Sequence, residues 1–380
     1  MIFKSIKTLY YFLIFHYQYY NIIINIKKNK KGYKKLGLKT NITEMFGIKH
    51  PIVAAPMGPF YTKLLAVAVS EAGGLGVLSH TNLFGKNSLE EMKKDMEYVI
   101  EHTDKPFGFN VRTSRLQLDA PGLLRGISKF IMDNQKLKEQ CLYVITSAGS
   151  AKLLPKIKSF QRLKESGSNI KHFHVAPALW LADKCVDAGV DGVVLTGYEG
   201  GGHQSYEKIS TLVLIQQVKR KYPNMPIIAC GGFASGEGLA SALAMGAGGI
   251  AMGSRFIASK DSEFNENYKN IVPSAKATDT IYVTGVLGPI RLWKNNYSLH
   301  HGVVSSKEEK MALEAQITPE MALKDQKFYE ITYEGNITDG AVLLGQSIGI
   351  INSIESVQDI INDIVKSAEK RLKEANSYIV

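Results

Sequence analysis

From residue 50 onward, short apolar runs rich in β-branched residues alternate with amphipathic stretches of about 10 to 16 residues. This alternation is typical of a parallel sheet in which each strand is followed by a helix. Eight apolar runs predict eight strands: Pro51–Ala55, Leu75–Leu78, Phe107–Val111, Cys141–Thr146, His172–Val175, Gly192–Leu195, Ile227–Ala229 and Gly249–Met252. Eight strands within about 200 residues match a closed (β/α)8 TIM barrel of the α/β class better than an open sheet.

The pattern changes after the eighth predicted strand. Residues 258–335 are polar and rich in Lys, Glu and Asn, with a scattered helical pattern, and they predict a helical cap inserted over the barrel mouth. Apolar residues then return at a 3.6-residue period between Val342 and Ile364, which predicts C-terminal helices that pack back on the barrel. We therefore divide the chain into a tail (1–40), the barrel (41–257), the cap (258–335) and the C-terminal helices (336–380).

Positive charge is concentrated at the N-terminus. The chain carries a formal net charge of +11, but residues 1–40 hold nine lysines and neither Asp nor Glu, so the remaining residues carry only +2 (11 minus 9). A nucleic-acid groove requires Lys and Arg clustered on the folded body, and that pattern is missing. We therefore expect no nucleic-acid partner.

The N-terminal tail contains an apolar stretch, Leu9–Ile26, that polar side chains interrupt before a lysine cluster begins at Lys27. Because a membrane span needs about 20 consecutive apolar residues, we expect a basic, disordered tail and no stable membrane span. The three cysteines form no C-x-x-C pair and fit a reducing compartment. We expect a cytoplasmic protein, with membrane anchoring or organelle targeting by the tail as the alternative.

Glycines cluster after the last two predicted strands. Gly231 and Gly232 follow the seventh strand, and Ala251–Ser254 end the eighth. Barrel enzymes often hold phosphate at these two loops, and glycine lets backbone N–H groups approach the oxygens. The two loops together predict a phosphate site, whereas either one alone would mark only a turn. The G-x-G-x-x-A match at Gly246–Ala251 is not a dinucleotide fingerprint, because a helix precedes it and a strand follows.

A glycine-rich loop, Thr196–His203, follows the sixth predicted strand and ends in a histidine. The three glycines before His203 let the backbone lie flat against a ring system while the imidazole points into the barrel mouth. An imidazole with an ordinary pKa of about 6.5 accepts or returns a proton at working pH. His203 is therefore our candidate catalytic residue, with a purely hydrogen-bonding role as the alternative.

Other polar residues carry weaker signals. His172 and His174 share one face of the fifth predicted strand, but no third ligand accompanies them, and the pair His300–His301 also lacks one. We therefore expect no metal site. Cys230 ends a strand where a nucleophile could lie, yet no Cys/His or G-x-S-x-G signature supports that role. Asn110 ends the third strand and can hydrogen-bond a cofactor as both donor and acceptor.

Six short segments together carry a resemblance to a known family. They lie in this order along the chain: Pro51–Met57, Ala72–Gly76, Phe107–Asn110, Glu199–His203, Gly231–Gly236 and Met252–Phe256. In this order they resemble the nitronate monooxygenase (2-nitropropane dioxygenase) family and its sister group, the FMN-dependent enoyl-acyl-carrier-protein reductases. The resemblance covers about residues 45–260, and Arg291–Asn295 and Gly345–Ser347 are similar to features of the family's C-terminal part. Each segment alone is only moderately specific, so the order of the segments carries the resemblance.

The resemblance implies a barrel that binds FMN and uses His203 as the catalytic base. It implies flavin contacts from these residues: Met57, Asn110, Thr196, Gly201, Gly232, Ala251, Met252, Gly253 and Ser254. The sequence departs from the family at Thr196, where Gln is usual, and at Gly200, where Ala is usual. Thr196 can donate one hydrogen bond but has a shorter reach than Gln. The Arg112–Gln140 segment is longer than in the family, and we expect it to alter the pocket rim.

The leading functional prediction is oxidation of an alkyl nitronate, such as propionate 3-nitronate, with O2 reoxidising the flavin and His203 assisting proton transfer. The alternative is NAD(P)H-dependent reduction of an enoyl thioester on a carrier protein, or of a quinone. An inosine-monophosphate-dehydrogenase-like barrel would need a reactive Cys after an earlier strand, and none occurs. A flavin-binding protein without catalysis is a further alternative. We expect a small-molecule substrate, and the sequence is compatible with a homodimer.

Overall fold

Eight parallel strands form the core sheet of the computed structural model, which describes residues 37–379. In chain order, the barrel strands are β1 (Ile52–Ala54), β2 (Gly76–Leu78), β3 (Phe107–Arg112), β4 (Cys141–Ser147), β5 (Lys171–Ala176), β6 (Gly192–Thr196), β8 (Ile227–Cys230) and β9 (Gly249–Met252). Strand β7 (Gly202–His203) belongs to a second, smaller sheet. They pair in the order β1-β9-β8-β6-β5-β4-β3-β2, and a parallel bridge between Val53 and Leu75 joins the two ends of the sheet. This ring confirms the predicted (β/α)8 barrel, and each strand overlaps its predicted run.

The barrel strands are buried because helices cover the outside and side chains fill the inside. Strands β1, β2, β6 and β9 are buried at every position, which explains why they read in the sequence as continuous apolar runs. The surrounding helices are α1 (Asn41–Phe46), α2 (Lys63–Glu71), α3 (Ser88–His102), α4 (Ala120–Asp133), α5 (Gln135–Gln140), α6 (Lys158–Glu165), α7 (Leu179–Asp187), α8 (Thr211–Lys221), α9 (Gly236–Ala244) and α10 (Ser254–Ile257).

Polar side chains in the sequence set where several of these helices begin. The Oγ of Ser235 accepts a hydrogen bond from the N–H of Gly238 at the start of α9. In the same way, Asn134 Oδ1 accepts from Leu137 N–H at the start of α5. Such caps satisfy N–H groups that the first helical turn leaves without a partner. The long Arg112–Gln140 segment begins at the last residue of β3 and contains two helices, α4 and α5.

Residues 258–335 contain a β-hairpin as well as helices. The helices are α11 (Glu266–Asn270), α12 (Asn296–Leu299), α13 (Lys307–Gln316) and α14 (Pro319–Tyr333), and the hairpin strands are β10 (Thr280–Gly285) and β11 (Gly288–Trp293). Strand β11 also pairs antiparallel with β7, which follows β6. The sequence predicted helices in this region, and helices are present, but it did not predict the hairpin, although Thr280–Trp293 is rich in β-branched and aromatic residues.

The C-terminal region ends in a long helix, α15 (Val357–Asn376). The prediction of helix from Val342 onward was wrong for residues 342–356, which are irregular apart from a 3-10 turn at Gln346–Ile350. Apolar side chains in that segment are buried by tertiary packing without helical periodicity, as Ile348 shows. Helix α15 packs closely on α9, since a Cβ added at Gly236 would lie 2.3 Å from the Cβ of Ser367.

The folded barrel begins before the predicted boundary at residue 40. Thr40 Oγ1 donates a hydrogen bond to Gly248 O at 2.6 Å and accepts one from Thr43 N–H at 3.2 Å. Thr40 therefore belongs to the barrel and not to the tail. Residues 1–36, on which the predictions of a disordered tail and of its targeting role fall, lie outside the described residues. Between residues 37 and 379, no helix combines the length and apolarity that a membrane span requires.

Candidate functional site

A large cavity opens at the carboxyl ends of the barrel strands. Its volume is about 1020 Å³, and residues that follow β1, β3, β4, β5, β6, β8 and β9 line it. Leu287, Pro289 and Lys310, which come from the region after the barrel, complete the wall. Reactive groups of (β/α)8 barrels lie at this end of the strands. This cavity is therefore the candidate site.

Nine of the ten predicted site residues line the cavity: His203, Met57, Asn110, Thr196, Gly201, Gly232, Ala251, Gly253 and Ser254. The tenth, Met252, is buried in β9 and does not reach the cavity. Side chains alternate along a strand, so the positions on either side of Met252 face the cavity while Met252 faces away. The structure thus brings together residues from five separate loops and leaves out one side chain.

The glycine loops that end β8 and β9 present their backbone to the cavity. Gly231 and Gly232 have φ angles of +82° and +88°, a region that residues with side chains rarely adopt. Among the described atoms, a Cβ added at Gly253 would meet only Ala55 Cβ at 3.8 Å, and one added at Gly232 would approach only Glu199, at 3.6 Å. The space beside these glycines therefore belongs to the cavity. A phosphate site of the predicted kind requires such space next to backbone N–H groups.

Ser254 connects the β9 loop to the C-terminal segment. Its Oγ accepts a hydrogen bond from the N–H of Gly345 at 3.0 Å, which leaves the hydroxyl proton available to an anion. Gly345 also packs against the loop after β6, since a Cβ added at Gly201 would lie 2.7 Å from Gly345 N. Part of the glycine requirement in the β6 loop therefore comes from backbone packing and not from a ligand.

The hairpin of β10 and β11 holds the backbone of His203. In the β7–β11 pairing, His203 lies opposite Ile290. The N–H of the next residue, Gln204, donates to Pro289 O at 2.8 Å. These hydrogen bonds fix the end of the glycine-rich loop from outside the barrel, so His203 enters the cavity from a β-strand and not from a free loop.

A buried arginine ties the same loop to the hairpin. Arg291 is 2% exposed; its Nε donates to Tyr198 O at 2.9 Å, and its Nη1 donates to Thr280 Oγ1 at 3.0 Å. The guanidinium also lies 4.4 Å from the centroid of the Tyr198 ring, within range of a cation–π contact. This part of the Arg291–Asn295 segment therefore positions the loop that carries His203.

The surroundings of His203 change its proton affinity. Burial in the cavity wall, reinforced by the positive charges of Arg112 and Lys310, lowers the pKa of His203 from 6.5 to about 4. The ordinary value assumed from the sequence was therefore too high. The imidazole is neutral at neutral pH and is able to accept a proton.

Asn110, one of the predicted polar contacts, is already partly engaged within the protein, and Thr196 lies beside a cysteine. Asn110 Nδ2 donates to Ile145 O at 2.9 Å and to Ser147 Oγ at 3.1 Å, so its side-chain oxygen is the atom left for a ligand. Cys230 is a neighbour of Thr196, and burial raises the pKa of its thiol in spite of the lowering effect of the Thr196 side chain. A raised pKa keeps this thiol protonated and unreactive. Cys230 is therefore part of the cavity wall and not a nucleophile.

His172 and His174 share a hydroxyl. Thr146 Oγ1 lies 2.7 Å from His172 Nε2 and 2.6 Å from His174 Nδ1. Burial lowers the pKa of His172 to about 3 and that of His174 to about 4, so both rings are neutral. Within residues 37–379, no group of three His, Cys, Asp or Glu side chains is placed to hold a metal ion.

Sequence reasoning missed the parts of the cavity wall that contain neither clustered glycines nor a histidine. Examples are Ser150 after β4, Trp180 at the start of α7 and Met311 on α13. The first two carry one signal, which is their position after a predicted strand, where barrel loops meet. Met311 carries none, because only the tertiary fold places α13 beside the cavity.

Cationic side chains outnumber acidic ones around the cavity. The lining arginines and lysines are Arg112, Arg115, Lys152, Lys184 and Lys310. Among the described lining residues the single carboxylate is Glu314, which is paired with Arg115 at 3.3 Å and with Lys310 at 2.8 Å. The cavity therefore favours an anionic ligand.

Comparison with known proteins gives matches along most of the chain. The family model described as nitronate monooxygenase matches residues 39–367. A relative from Mycobacterium tuberculosis, named (3aS,4S,5R,7aS)-5-hydroxy-7a-methyl-1-oxo-octahydro-1H-indene-4-carboxyl-CoA dehydrogenase, is 28% identical over 381 residues, which cover 90% of this chain and 99% of the relative.

Solved structures agree with the barrel. The structure of FabK from Thermotoga maritima superposes with a TM-score of 0.73 at 31% sequence identity, covering 90% of this chain and 100% of that chain. A nitroalkane oxidase from Streptomyces ansochromogenes superposes with a TM-score of 0.68 at 21% identity, covering 88% of this chain and 99% of that chain, and it supports the fold alone. The matched residues include both glycine loops and His203, and the family identifies the protein as an oxidoreductase. The chain therefore belongs to the nitronate monooxygenase family.

Proposed function

We propose that this protein is an FMN-dependent nitronate monooxygenase that oxidises alkyl nitronates, such as propionate 3-nitronate, with O2. The observation that carries the proposal is the position of a neutral, partly buried His203 in the same cavity wall as the two glycine loops. A base and a phosphate-binding backbone at one barrel mouth are what this reaction requires from the protein. The family match supports the flavin and the class of substrate.

The residues that would hold FMN lie at the ends of β1, β3, β6, β8 and β9 and line one cavity. Gly232, Gly253 and Ser254 would bind its phosphate through backbone N–H groups and the Ser254 hydroxyl. The remaining contacts would come from Met57, Asn110, Thr196, Gly201 and Ala251, which line the same cavity. FMN, when bound, would supply the redox chemistry of the oxidation.

His203 would accept the carbon-bound proton of a neutral nitroalkane substrate. A neutral nitroalkane must lose a carbon-bound proton before electrons can leave, and a neutral imidazole accepts that proton at a ring nitrogen. A nitronate has already lost the proton, so toward this substrate His203 would act by orienting and stabilising the anion. The hairpin contacts that fix the His203 backbone keep the ring in place for both roles.

The lowered pKa of His203 predicts an activity that tolerates acid. For a neutral nitroalkane, we expect kcat/KM to be level from about pH 7 to about pH 5. It should fall only as the pH drops through the His203 pKa of about 4, because protonation then removes the base. The check is a pH profile of kcat/KM, with flavin retention recorded at each pH. A fall centred near the ordinary histidine value would contradict the desolvated position of the ring.

We also propose that residues 258–335 are the cap of the barrel mouth. Leu287, Pro289 and Met311 from this region line the cavity, which supports the proposal. The cap would limit solvent access to the site and, through β11, fix His203.

A second candidate function is NAD(P)H-dependent reduction of an enoyl thioester. The cavity of about 1020 Å³ is just above the usual range of about 300 to 1,000 Å³, and this volume is compatible with a substrate larger than a nitronate beside a mononucleotide. Lys152 and Lys184 line the cavity, and cationic side chains suit the phosphates of coenzyme A or an acidic carrier protein. The Mycobacterium tuberculosis relative is named as a carboxyl-CoA dehydrogenase, which favours the same candidate.

Anaerobic flavin reduction tests the proposed function. We expect a nitronate to bleach the visible absorbance of the enzyme-bound flavin, and O2 to restore it. NADH and NADPH are tested in parallel under the same conditions. Rapid bleaching by either nucleotide, without a response to the nitronate, would replace the proposal with the reductase candidate. Protein that takes up no FMN would overturn both.

A further inference from the structure

Arg112 lies at the end of β3, two residues after Asn110, and its side chain lines the cavity. Its Nη2 donates to Asn82 Oδ1 at 2.7 Å. Its Nε is shielded from solvent and has no hydrogen-bond partner among the described residues. No carboxylate in residues 37–379 lies within 4.0 Å of the guanidinium, since the ion pairs found there do not include it. A positive charge therefore faces the cavity without a counter-charge in contact.

The carboxylate that acts most strongly on Arg112, that of Asp119, is engaged by other donors. Its oxygens accept hydrogen bonds from His80 Nε2 at 3.2 Å, from the Ser88 hydroxyl and from Gln117 Nε2 at 2.6 Å. These donors hold the pKa of Asp119 well below its ordinary value in spite of partial burial. Asp119 stays ionised and attracts Arg112 from a distance, but it does not occupy the hydrogen-bonding edge of the guanidinium.

The protein holds Arg112 in place through its backbone as well as its side chain. The N–H of Arg112 donates to Nδ1 of the buried His80 at 3.1 Å. Because Nδ1 accepts, the His80 proton lies on Nε2 and is donated to Asp119. On the other side, a Cβ added at Gly58 would lie 3.6 Å from Arg112 Nε. The guanidinium is thus fixed between the β1 loop and the β2 loop.

Electrostatics connects Arg112 to His203. Both residues line the same cavity, and the charge of Arg112 is one of the causes that lower the His203 pKa, after burial. A desolvated cation is costly unless an anion compensates it. A planar oxyanion that accepts from a guanidinium edge, next to a neutral imidazole, supplies that compensation.

We propose that Arg112 is the residue that recognises the substrate's oxyanion, binding the nitronate oxygens beside His203, and that Asn82, His80 and Asp119 position it. This inference rests on the proposed function for the identity of the anion. A substrate that carries its negative charge on the reacting group would be bound more tightly than its neutral counterpart. Lys152 and Lys184, which also line the cavity, are exposed to solvent, and a solvated ammonium discriminates less between an anion and its neutral counterpart.

The test uses nitrate, a planar monoanion similar in shape to a nitronate group, titrated into the FMN-loaded protein. Binding is followed by the change in the visible absorbance of the flavin. We expect Arg112→Met to raise the Kd for nitrate by roughly 10- to 100-fold while FMN remains bound. Arg112→Lys should give an intermediate Kd, because lysine keeps the charge but loses the planar pair of donors. Arg125→Met, at an exposed arginine on α4, is the matched control and should leave the Kd unchanged.

The possible outcomes separate this inference from the proposed function. Wild-type nitrate affinity in FMN-loaded Arg112→Met would overturn the role of Arg112, as would the absence of any nitrate binding by the wild type. Loss of FMN from Arg112→Met, with normal nitrate affinity in the fraction still loaded, would assign Arg112 to the flavin and also overturn it. If the wild type takes up no FMN, the proposed function fails; calorimetric titration of the purified protein then tests the nitrate site on its own.

Discussion

His203→Asn is expected to retain FMN and to lower the turnover of a neutral nitroalkane by about 10²- to 10⁴-fold, which is the usual value of general-base assistance. Asparagine is similar in size and keeps hydrogen bonding, but it does not accept a proton near neutral pH. The backbone bonds of β7 to β11 do not depend on the side chain, so the loop should keep its position. Steady-state kcat and KM, with FMN content per chain, measure the effect.

The ratio between two substrates makes this prediction specific. A pre-ionised nitronate needs no carbon deprotonation, so its turnover should fall far less than that of the neutral nitroalkane. Some loss is allowed because the imidazole also stabilises the anion. Equal losses with both substrates would make His203 a binding group and not a base. His174→Asn serves as a comparison, because this histidine lines the same cavity but bonds to Thr146.

Gly253→Asp is expected to abolish FMN retention. The backbone at Gly253 has φ −101°, so any residue can adopt it, and an added side chain would extend into the cavity. A carboxylate about 4 Å from a phosphate repels it by about 4 kcal/mol at an effective dielectric constant of about 20. That energy corresponds to a loss of about 10³-fold in affinity. Flavin content after gel filtration and the Kd for added FMN are the measurements.

Gly253→Ala separates charge from size in this experiment. The added methyl group would contact only Ala55 Cβ at 3.8 Å among the described atoms, which is an ordinary van der Waals distance. We expect the alanine variant to fold normally and to keep most of its FMN. If the aspartate variant binds FMN as well as the wild type does, the phosphate lies elsewhere. If both variants lose it equally, backbone access and not charge is decisive.

The barrel itself was predictable from the chain because its signals are local. Strands such as β6 and β9 are buried throughout, so they appear as unbroken apolar runs. The glycines after β8 have positive φ angles, and that conformational need is visible as Gly-Gly in the sequence. Strand order in a (β/α)8 barrel follows from chain order. For these reasons the sequence alone predicts the candidate phosphate loops and the position of His203.

Long-range pairing explains what the sequence did not predict. Strands β10 and β11 are rich in β-branched and aromatic residues, but they lie within a region that is polar on average, and the pairing of β11 with β7 joins segments far apart in the chain. Residues 342–356 have helical periodicity but are held irregular by contacts such as Gly345 N–H to Ser254 Oγ. The hairpin thus carried a local strand signal that the average polarity of its region hid, whereas contacts between distant segments decided the conformation of residues 342–356.

The sequence by itself determined the barrel, the two glycine loops and the presence of a histidine at the mouth, because each depends on residues adjacent in the chain. Only the tertiary structure decided how deeply those residues are buried and which charges surround them. Burial and two cations from distant segments set the pKa of His203, and the engagement of Asp119 by three other donors leaves Arg112 in the cavity wall with Asn82 as a hydrogen-bond partner but with no carboxylate in contact among the described residues. Desolvation and charge pairing depend on distances in space, and spacing along the chain does not encode them.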